Sequence, residues 1–140
     1  MKYLLIFILS FGIVLYGCKE EISPDPEVTI LKCNNLVNPL GTGSNPLFNW
    51  IVKSSVTGQK QTSYQIIIAS DQKMINSGKG DIWDSGKILS DQSAWVRYKG
   101  PDLSPGVKYF WRVRIWDKNG IASDWSDPAF FITGLFVCTD

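Results

Sequence analysis

The chain has 140 residues, enough for one domain and a targeting segment, since a typical domain occupies about 100 to 150 residues. Its 14 basic and 13 acidic side chains nearly balance, so charge provides no general attraction to nucleic acid or anionic lipid. Histidine is absent, which removes the commonest general base and metal ligand. We therefore expect no metal site, no cofactor and no nucleic-acid partner.

The chain begins with a segment that is typical of a secretory signal. Lys2 supplies a positive charge, and residues 3–16 form an almost unbroken apolar run, shorter than the about 20 residues that a transmembrane helix needs. Residues 15–18, Leu-Tyr-Gly-Cys, resemble a lipobox, in which the cysteine receives a diacylglycerol before cleavage. We predict a signal peptide over 1–17 and a lipidated Cys18; the alternative is an ordinary signal followed by an incidental cysteine.

Residues 18–27 are predicted to be a flexible tether. Pro24 and Pro26 stand there among polar residues, a composition that favours an extended chain. Lys-Glu-Glu at 19–21 resembles the surface-export signal of Bacteroidetes lipoproteins, although charged residues are also usual in any linker. The expected localisation is the cell envelope, as an outer-membrane lipoprotein exposed at the cell surface and held to the membrane by its lipid.

Beyond residue 27 the pattern is that of β-structure. Short runs rich in Val, Ile, Tyr, Phe and Trp recur about every ten to twenty residues between clusters of turn-forming residues, and no helical periodicity of useful length appears. Seven strands are predicted, at 28–36, 47–53, 63–70, 83–85, 94–98, 107–117 and 129–133. We therefore expect an all-β, seven-stranded sandwich over residues 28–135, followed by a C-terminal stub at 136–140.

The predicted strand 107–117 shows the clearest alternation. Side chains on a strand alternate between its faces, so the inner face is predicted to carry Tyr109, Trp111, Val113 and Ile115, and the outer face Phe110, Arg112, Arg114 and Trp116. In strand 47–53 the same rule places Trp50 inward, where we expect it to pack against Trp111. Rings of this size bury about 150 to 250 Å² each. Trp50, Tyr109 and Trp111 are therefore the predicted centre of the core.

The loop before strand 107–117 has a specific geometry. Residues 103–109 read Leu-Ser-Pro-Gly-Val-Lys-Tyr, in which Pro105 fixes φ and Gly106 permits a tight reversal. The hydroxyl of Tyr109 can then bond back to the preceding loop, as in the tyrosine corner of sandwich domains. This spacing resembles the corner before strand F of fibronectin type III domains. The resemblance makes the expected fold a fibronectin type III or immunoglobulin-like β-sandwich.

Residues 123–126, Ser-Asp-Trp-Ser, resemble the Trp-Ser segment of cytokine-receptor sandwiches, where an indole stacks between cationic side chains of a neighbouring strand. We therefore predict that Trp125 lies over Arg112, Arg114 or both, a contact worth about 0.5 to 2 kcal/mol. In the alternative interpretation, Trp116 and Trp125 form a platform on which a sugar stacks. In either case Arg112, Arg114, Trp116 and Trp125 are the candidate binding or stacking face.

The sequence offers only weak candidates for a metal site or for catalytic residues. Cys33 and Cys138 are too few and too far apart for a zinc site; they could pair in an oxidising compartment or remain two free thiols. Asp81 with Asp84, and Asp124 with Asp127, stand among turn residues, where aspartate more often bonds the local backbone than acts in a glycosidase. No catalytic residue is predicted.

The order of motifs along the chain resembles the start of bacterial α-L-rhamnosidases. Earlier segments that carry the resemblance are Asn38-Pro39-Leu40-Gly41, Phe48-Asn49-Trp50, Gln61-Thr62-Ser63-Tyr64-Gln65-Ile66 and Asp81-Ile82-Trp83-Asp84-Ser85-Gly86-Lys87. Later ones are Gln92-Ser93, Tyr98-Lys99-Gly100, Tyr109-Phe110-Trp111-Arg112-Val113-Arg114, Trp116-Asp117, Trp125-Ser126 and Phe131-Ile132-Thr133-Gly134-Leu135. Asn34, where an acidic residue is expected, departs from the pattern.

The resemblance implies a non-catalytic accessory domain, because the catalytic barrel of that family lies in later sequence. It favours a detached or truncated module of a surface α-L-rhamnosidase, which packs against neighbouring glycoside hydrolase domains during plant-glycan breakdown. The alternative is a free-standing surface lipoprotein that binds glycan or protein through Arg112, Arg114, Trp116 and Trp125.

Overall fold

The computed structural model describes residues 25–136, which form a sandwich of two β-sheets. The elements in chain order are β1 (Glu27–Cys33), β2 (Leu40–Thr42), β3 (Leu47–Lys53), β4 (Ser63–Ala69), α1 (Gln72–Asn76), β5 (Trp83–Asp84), β6 (Ile88–Leu89), β7 (Val96–Arg97), β8 (Lys108–Trp116) and β9 (Ala129–Thr133). A three-stranded sheet has the order β1-β3-β7. A six-stranded sheet has the order β2-β9-β8-β4-β5, with β6 also pairing with β4.

The predicted all-β, immunoglobulin-like fold is confirmed, with additions that the sequence did not reveal. Strands β2 and β6, of three and two residues, are too short to show an alternating pattern. The helix α1 was also not predicted, because five residues are too few for a visible period. Asp71 caps this helix by accepting a 2.8 Å hydrogen bond from the backbone N–H of Met74. No helix within residues 25–136 is long and apolar enough to cross a membrane.

The first strand ends earlier than predicted. It was expected to continue to residue 36, but β1 ends at Cys33 because Asn34 and Asn35 adopt positive φ angles of 50° and 64°. Asparagine enters this left-handed region more readily than most residues, and the chain turns there. The side chain of Asn34 stabilises the turn by accepting a 2.9 Å hydrogen bond from the backbone N–H of Leu47.

The core contains the three rings that were expected at its centre, but their partners differ from the prediction. Trp50, Tyr109 and Trp111 are 3%, 4% and 0% exposed. Trp111 packs against Phe48, with ring centroids 4.6 Å apart, whereas Trp50 packs against Tyr64 at 5.2 Å. The expected pairing of Trp50 with Trp111 is therefore wrong. The indole N–H of Trp50 donates a 3.0 Å hydrogen bond to the side-chain oxygen of buried Gln61.

The loop before β8 has the predicted corner. The hydroxyl oxygen of Tyr109 accepts a 2.9 Å hydrogen bond from the backbone N–H of Ser104, and Gly106 has a φ of 68°. A bond from the ring back to the loop fixes the angle at which the chain enters β8. This ties β8 to the loop that precedes it.

Several predictions fall on residues outside 25–136. They are the signal peptide 1–17, the lipidated Cys18, most of the tether 18–27, and the partner cysteine Cys138. Cys33 itself lies in the core, 1% exposed, and burial raises the pKa of its thiol to about 12. The thiol is therefore protonated at neutral pH and is a poor nucleophile.

Candidate functional site: the arginine and tryptophan face

The four predicted face residues do lie together on the outer surface of the six-stranded sheet. Arg112, Arg114 and Trp116 alternate with buried residues along β8, and Trp125 comes from the segment that follows this strand. All four side chains are half-buried. We call these four residues the arginine–tryptophan face.

Residues 122–126 reach the face because the chain reverses after β8. The side chain of Asp117 accepts hydrogen bonds from the backbone N–H groups of Asn119 at 2.8 Å and Ile121 at 2.9 Å. An aspartate that bonds the backbone a few residues ahead closes a turn. The following segment then runs back along β8.

Two serines attach this returning segment to β8. Ser123 donates its backbone N–H to the carbonyl of Ile115, at 2.8 Å, and its hydroxyl oxygen accepts the N–H of Ile115, at 3.1 Å. Ser126 makes the same pair of bonds with Val113, at 2.8 and 3.1 Å. Strand β9 pairs with β8 only up to Trp111, so the serines satisfy the backbone groups that β9 leaves open.

The segment places the indole of Trp125 over a cation, as predicted for one of the two arginines. The guanidinium carbon of Arg114 lies 4.6 Å from the ring centroid of Trp125 and 5.1 Å from that of Trp116. The ammonium group of Lys87 lies 4.7 Å from the Trp116 ring. Each indole of the face is therefore in contact with a cation of the domain itself.

A chain of hydrogen bonds holds Arg114 in this position. Its Nε donates to the side-chain oxygen of Gln65 at 2.8 Å, and the amide nitrogen of Gln65 donates to Asp84 at 2.7 Å. The same oxygen of Asp84 accepts the backbone N–H of Gly86 at 2.8 Å. The guanidinium is thus fixed by β4 and β5 beneath the two indoles, which reduces the entropy lost in each contact.

Arg112 does not stack on Trp125 but connects two other elements. Its Nε donates a 2.6 Å hydrogen bond to the carbonyl of Ser126, and one terminal nitrogen donates a 3.4 Å bond to the carbonyl of Ile75 in α1. A cation near the last carbonyl groups of a helix is favourable. Arg112 therefore ties the returning segment to the helix.

The part of the chain between residues 25 and 136 contains no group of histidine, cysteine or acidic side chains that could hold a metal ion. Asp81 accepts bonds from the hydroxyl and the backbone N–H of Ser70. Desolvation opposes ionisation of Asp81, but these bonds outweigh it and lower the pKa of the carboxyl group. A glycosidase acid needs a raised pKa, so Asp81 is unsuited to that role.

A second tryptophan surface, on the three-stranded sheet, was missed. Trp95 is 56% exposed, the only tryptophan among the exposed large apolar residues of 25–136. The alternation of the predicted strand 94–98 could have revealed it. Val96 and Tyr98 are buried, so the residue before Val96 must point outward.

The described residues form a β-sandwich, and the side chains of the arginine–tryptophan face contact other residues of the same domain. The family model for "Rha78A-like, N-terminal immunoglobulin domain" matches residues 28–137. The chain therefore belongs to the family of N-terminal immunoglobulin domains of Rha78A-like proteins.

Relatives and solved structures agree with this family. An α-L-rhamnosidase of Formosa agariphila is 36% identical over 142 residues, which cover 96% of this chain but 15% of that protein. The structure of the Dictyoglumus thermophilum α-L-rhamnosidase matches with a TM-score of 0.74 and 41% identity, over 81% of this chain and 12% of that one. The Streptomyces avermitilis enzyme, complexed with L-rhamnose, gives 0.73 and 40%, over 77% and 10%.

Proposed function

We propose that this chain is a non-catalytic accessory module of a surface-anchored α-L-rhamnosidase-type glycoside hydrolase. The observation that carries the proposal is the family match over residues 28–137, to a domain described as N-terminal in proteins of which this chain spans about a tenth to a seventh. Asp81, whose carboxyl pKa is lowered by its bonds to Ser70, is unsuited to act as a glycosidase acid. Rhamnoside cleavage is therefore assigned to other domains.

Hydrogen bonds fix the end of the last strand of the sandwich as far as Gly134. Buried Thr133 donates its hydroxyl to the carbonyl of Ser104, at 2.6 Å, and accepts the N–H of Val107, at 2.9 Å. The backbone N–H of Gly134 bonds the carbonyl of Thr42 at 2.8 Å. A fixed end of the last strand supports a role in orienting a neighbouring domain, because fewer backbone bonds at that end are free to rotate.

A domain exchange tests the accessory role. The Streptomyces avermitilis enzyme is produced intact, without its matching N-terminal domain, and with residues 25–136 of this chain in its place. We expect the deletion to lower the melting temperature and the exchange to restore most of the loss, with little change in kcat. If the deleted enzyme is as stable and soluble as the intact one, an orienting role is contradicted.

The purified chain provides the matching activity test. We expect it to release no rhamnose from an aryl rhamnoside above the buffer rate. Measurable turnover that follows the protein through purification would contradict the non-catalytic assignment.

Surface anchoring is the finer part of the proposal, and its support is the sequence around Cys18. The wild-type chain should partition into the detergent phase of a Triton X-114 extract, whereas Cys18→Ser should remain in the aqueous phase. Digestion of intact cells by added protease then tests exposure at the outer face. Equal partitioning of both chains would remove the lipid anchor.

The alternative, glycan or protein binding through Arg112, Arg114, Trp116 and Trp125, has weaker support. Arg114 contacts both indoles, and hydrogen bonds to Gln65 and Ser126 engage the two arginines. A ligand at this face would have to compete with contacts that already stabilise the domain.

A further inference from the structure

A pocket of about 290 Å³ opens on the outer side of the three-stranded sheet, away from the arginine–tryptophan face. One row of its lining crosses the sheet, since Lys32 on β1 pairs with Asn49 on β3 and Asn49 bonds Trp95 before β7. Asn35 and Ser93 also line the pocket. We call it the Trp95 pocket.

Trp95 is held in an uncommon backbone conformation. Its φ is 57°, in the left-handed region that disfavours a bulky side chain. The conformation is kept because the backbone N–H of Trp95 donates a 2.8 Å hydrogen bond to the side-chain oxygen of Asn49. The adjoining loop is also fixed, since the carbonyl of Ser93 accepts the backbone N–H of Trp50 at 2.9 Å. An exposed aromatic residue that is held in a strained backbone conformation by its surroundings points to a functional position.

Asn49 adds a second, independent observation. Its oxygen is used by Trp95, whereas its amide nitrogen Nδ2 is buried and has no hydrogen-bond partner within the described structure. An unpartnered buried donor is unfavourable. A ligand hydroxyl that reaches this amide after a small side-chain movement would satisfy it.

The chemistry of the lining selects the class of ligand. The ring of Trp95 and the aliphatic side chains of Ile30 and Ile51 stand beside two amides, a hydroxyl and a single cation, Lys32, and no carboxylate lines the pocket. Such a mixture suits a neutral molecule with one apolar face and several hydroxyl groups. The volume lies just below that of most ligand pockets, which span about 300 to 1,000 Å³, so only a small ligand would fit. A pocket of this size accommodates one sugar ring, whose apolar face can stack on the indole while its hydroxyl groups reach the amides.

We propose that the Trp95 pocket binds a neutral pyranose unit of a glycan. The indole of Trp95 stacks on the apolar face of the sugar ring, and Asn49, Asn35 and Lys32 bond its hydroxyl groups. This site differs from the arginine–tryptophan face and does not depend on attachment of the chain to a hydrolase.

The test is a titration of the purified chain, labelled with ¹⁵N, by methyl α-L-rhamnoside, methyl β-D-glucoside and methyl β-D-galactoside, with D-glucuronate as the charged probe. Each tryptophan has its own indole signal in a two-dimensional NMR spectrum. We expect at least one neutral glycoside to shift the Trp95 signal with a saturable curve, and to leave the Trp116 signal in place.

Three variants locate the site. Trp95→Asn removes the ring but keeps a residue that accepts the left-handed backbone, and should weaken binding about tenfold. Asn49→Asp keeps the oxygen that bonds Trp95 and removes the donor, and should also weaken binding. Trp116→Phe is the control, with an altered ring on the other sheet, and should bind as wild type.

The proposal is overturned if no neutral glycoside gives a saturable shift, if only D-glucuronate binds, or if Trp95→Asn binds as tightly as wild type. Binding that Trp116→Phe weakens and Trp95→Asn does not would assign the sugar to the arginine–tryptophan face. Since the readout is sugar binding by the chain alone, failure of the domain exchange would leave this result unaffected.

Discussion

The outer surfaces of the two sheets both carry tryptophan, but the side chains have different surroundings. On the six-stranded sheet Trp116 and Trp125 are half-buried and contact Arg114 or Lys87. On the three-stranded sheet Trp95 is exposed and strained, and its neighbour Asn49 has an unpartnered nitrogen. An aromatic ring on a sheet surface therefore indicates a binding site only when the ring is not already stacked on side chains of its own domain.

The difference has a structural origin. Strand β8 continues beyond the end of its pairing with β9, and the segment 122–126 covers the backbone that remains. Covering that edge brings Trp125 onto the sheet. Strand β7 has only two residues, and among residues 25–136 the side chain of Trp95 beside it stays exposed.

Replacing one tryptophan on each outer surface should give the largest difference in the free energy of unfolding. Trp125→Ala removes a ring that packs on a small core cluster around α1 and contacts Arg114, so it should cost about 2 to 3 kcal/mol of unfolding free energy. Trp95→Asn should change stability by less than about 0.5 kcal/mol, since it relieves backbone strain. Urea denaturation measures both values; similar costs would contradict the distinction between the two surfaces.

A matched pair of arginines sharpens the same distinction. Arg112→Ala breaks the bonds to the carbonyls of Ser126 and Ile75, and should destabilise the domain by about 1.5 to 2 kcal/mol. Arg97, on β7, is exposed, and its replacement by alanine should have an effect close to zero. Thermal unfolding of both variants checks this, and an equal loss from Arg97→Ala would show that the three-stranded sheet relies on its surface charges too.

The serines that attach the returning segment should have a smaller effect. Ser126→Ala leaves the buried N–H of Val113 without its hydroxyl acceptor, at a cost of about 1 to 1.5 kcal/mol. Hydrogen exchange should show faster exchange at Val113. Ser93→Ala, in the Trp95 pocket, is the control and should be neutral. Unchanged protection at Val113 would mean that the hydroxyl does not close the edge of β8.

A loss of stability is also expected at alkaline pH, and it should come from the core rather than from either surface. Burial raises the pKa of Cys33 from 9.0 to about 12, and desolvation followed by the charges of Tyr109 and Asp102 raises that of Tyr98 from 10.0 to about 12. The folded state keeps protons that the unfolded chain loses, so this stability is complete below about pH 9 and is lost as pH rises towards about 12.

Arginine stays charged across this range, so the arginine–tryptophan face should not contribute. The loss from Cys33 alone should be about 1.4 kcal/mol near pH 10. Urea denaturation at several pH values, with Cys33→Ala as the control, should show a shallower decline in the variant. An identical decline would exclude the thiol as the cause.

Much of the fold is predictable from the sequence because β8 is long enough to show its alternation. Nine residues with a regular buried and outward pattern establish the inner face, and the Pro105-Gly106 corner establishes how the chain enters it. The pairing of Trp111 with Phe48 is not predictable in this way. It depends on which residues of β3 and β8 meet between the two sheets, and no local pattern of either strand displays this.

The candidate sites show the same limit. The contact of Trp125 with Arg114 follows from a local motif and an alternating strand, which the sequence displays. The Trp95 pocket is formed by β1, β3 and the loop before β7, which are distant in sequence and meet only in the folded sheet. The exposure of Trp95 could have been predicted from Val96, but not its bond to Asn49.

The most direct test of the contrast between the two surfaces is the rate at which each tryptophan is oxidised in the native protein, followed by peptide mass spectrometry. Trp95 should react first, Trp116 and Trp125 several times more slowly, and Trp111 only on unfolding. Oxidation of Trp116 and Trp125 as fast as Trp95 would contradict the account, because the arginine–tryptophan face would then be open to solvent.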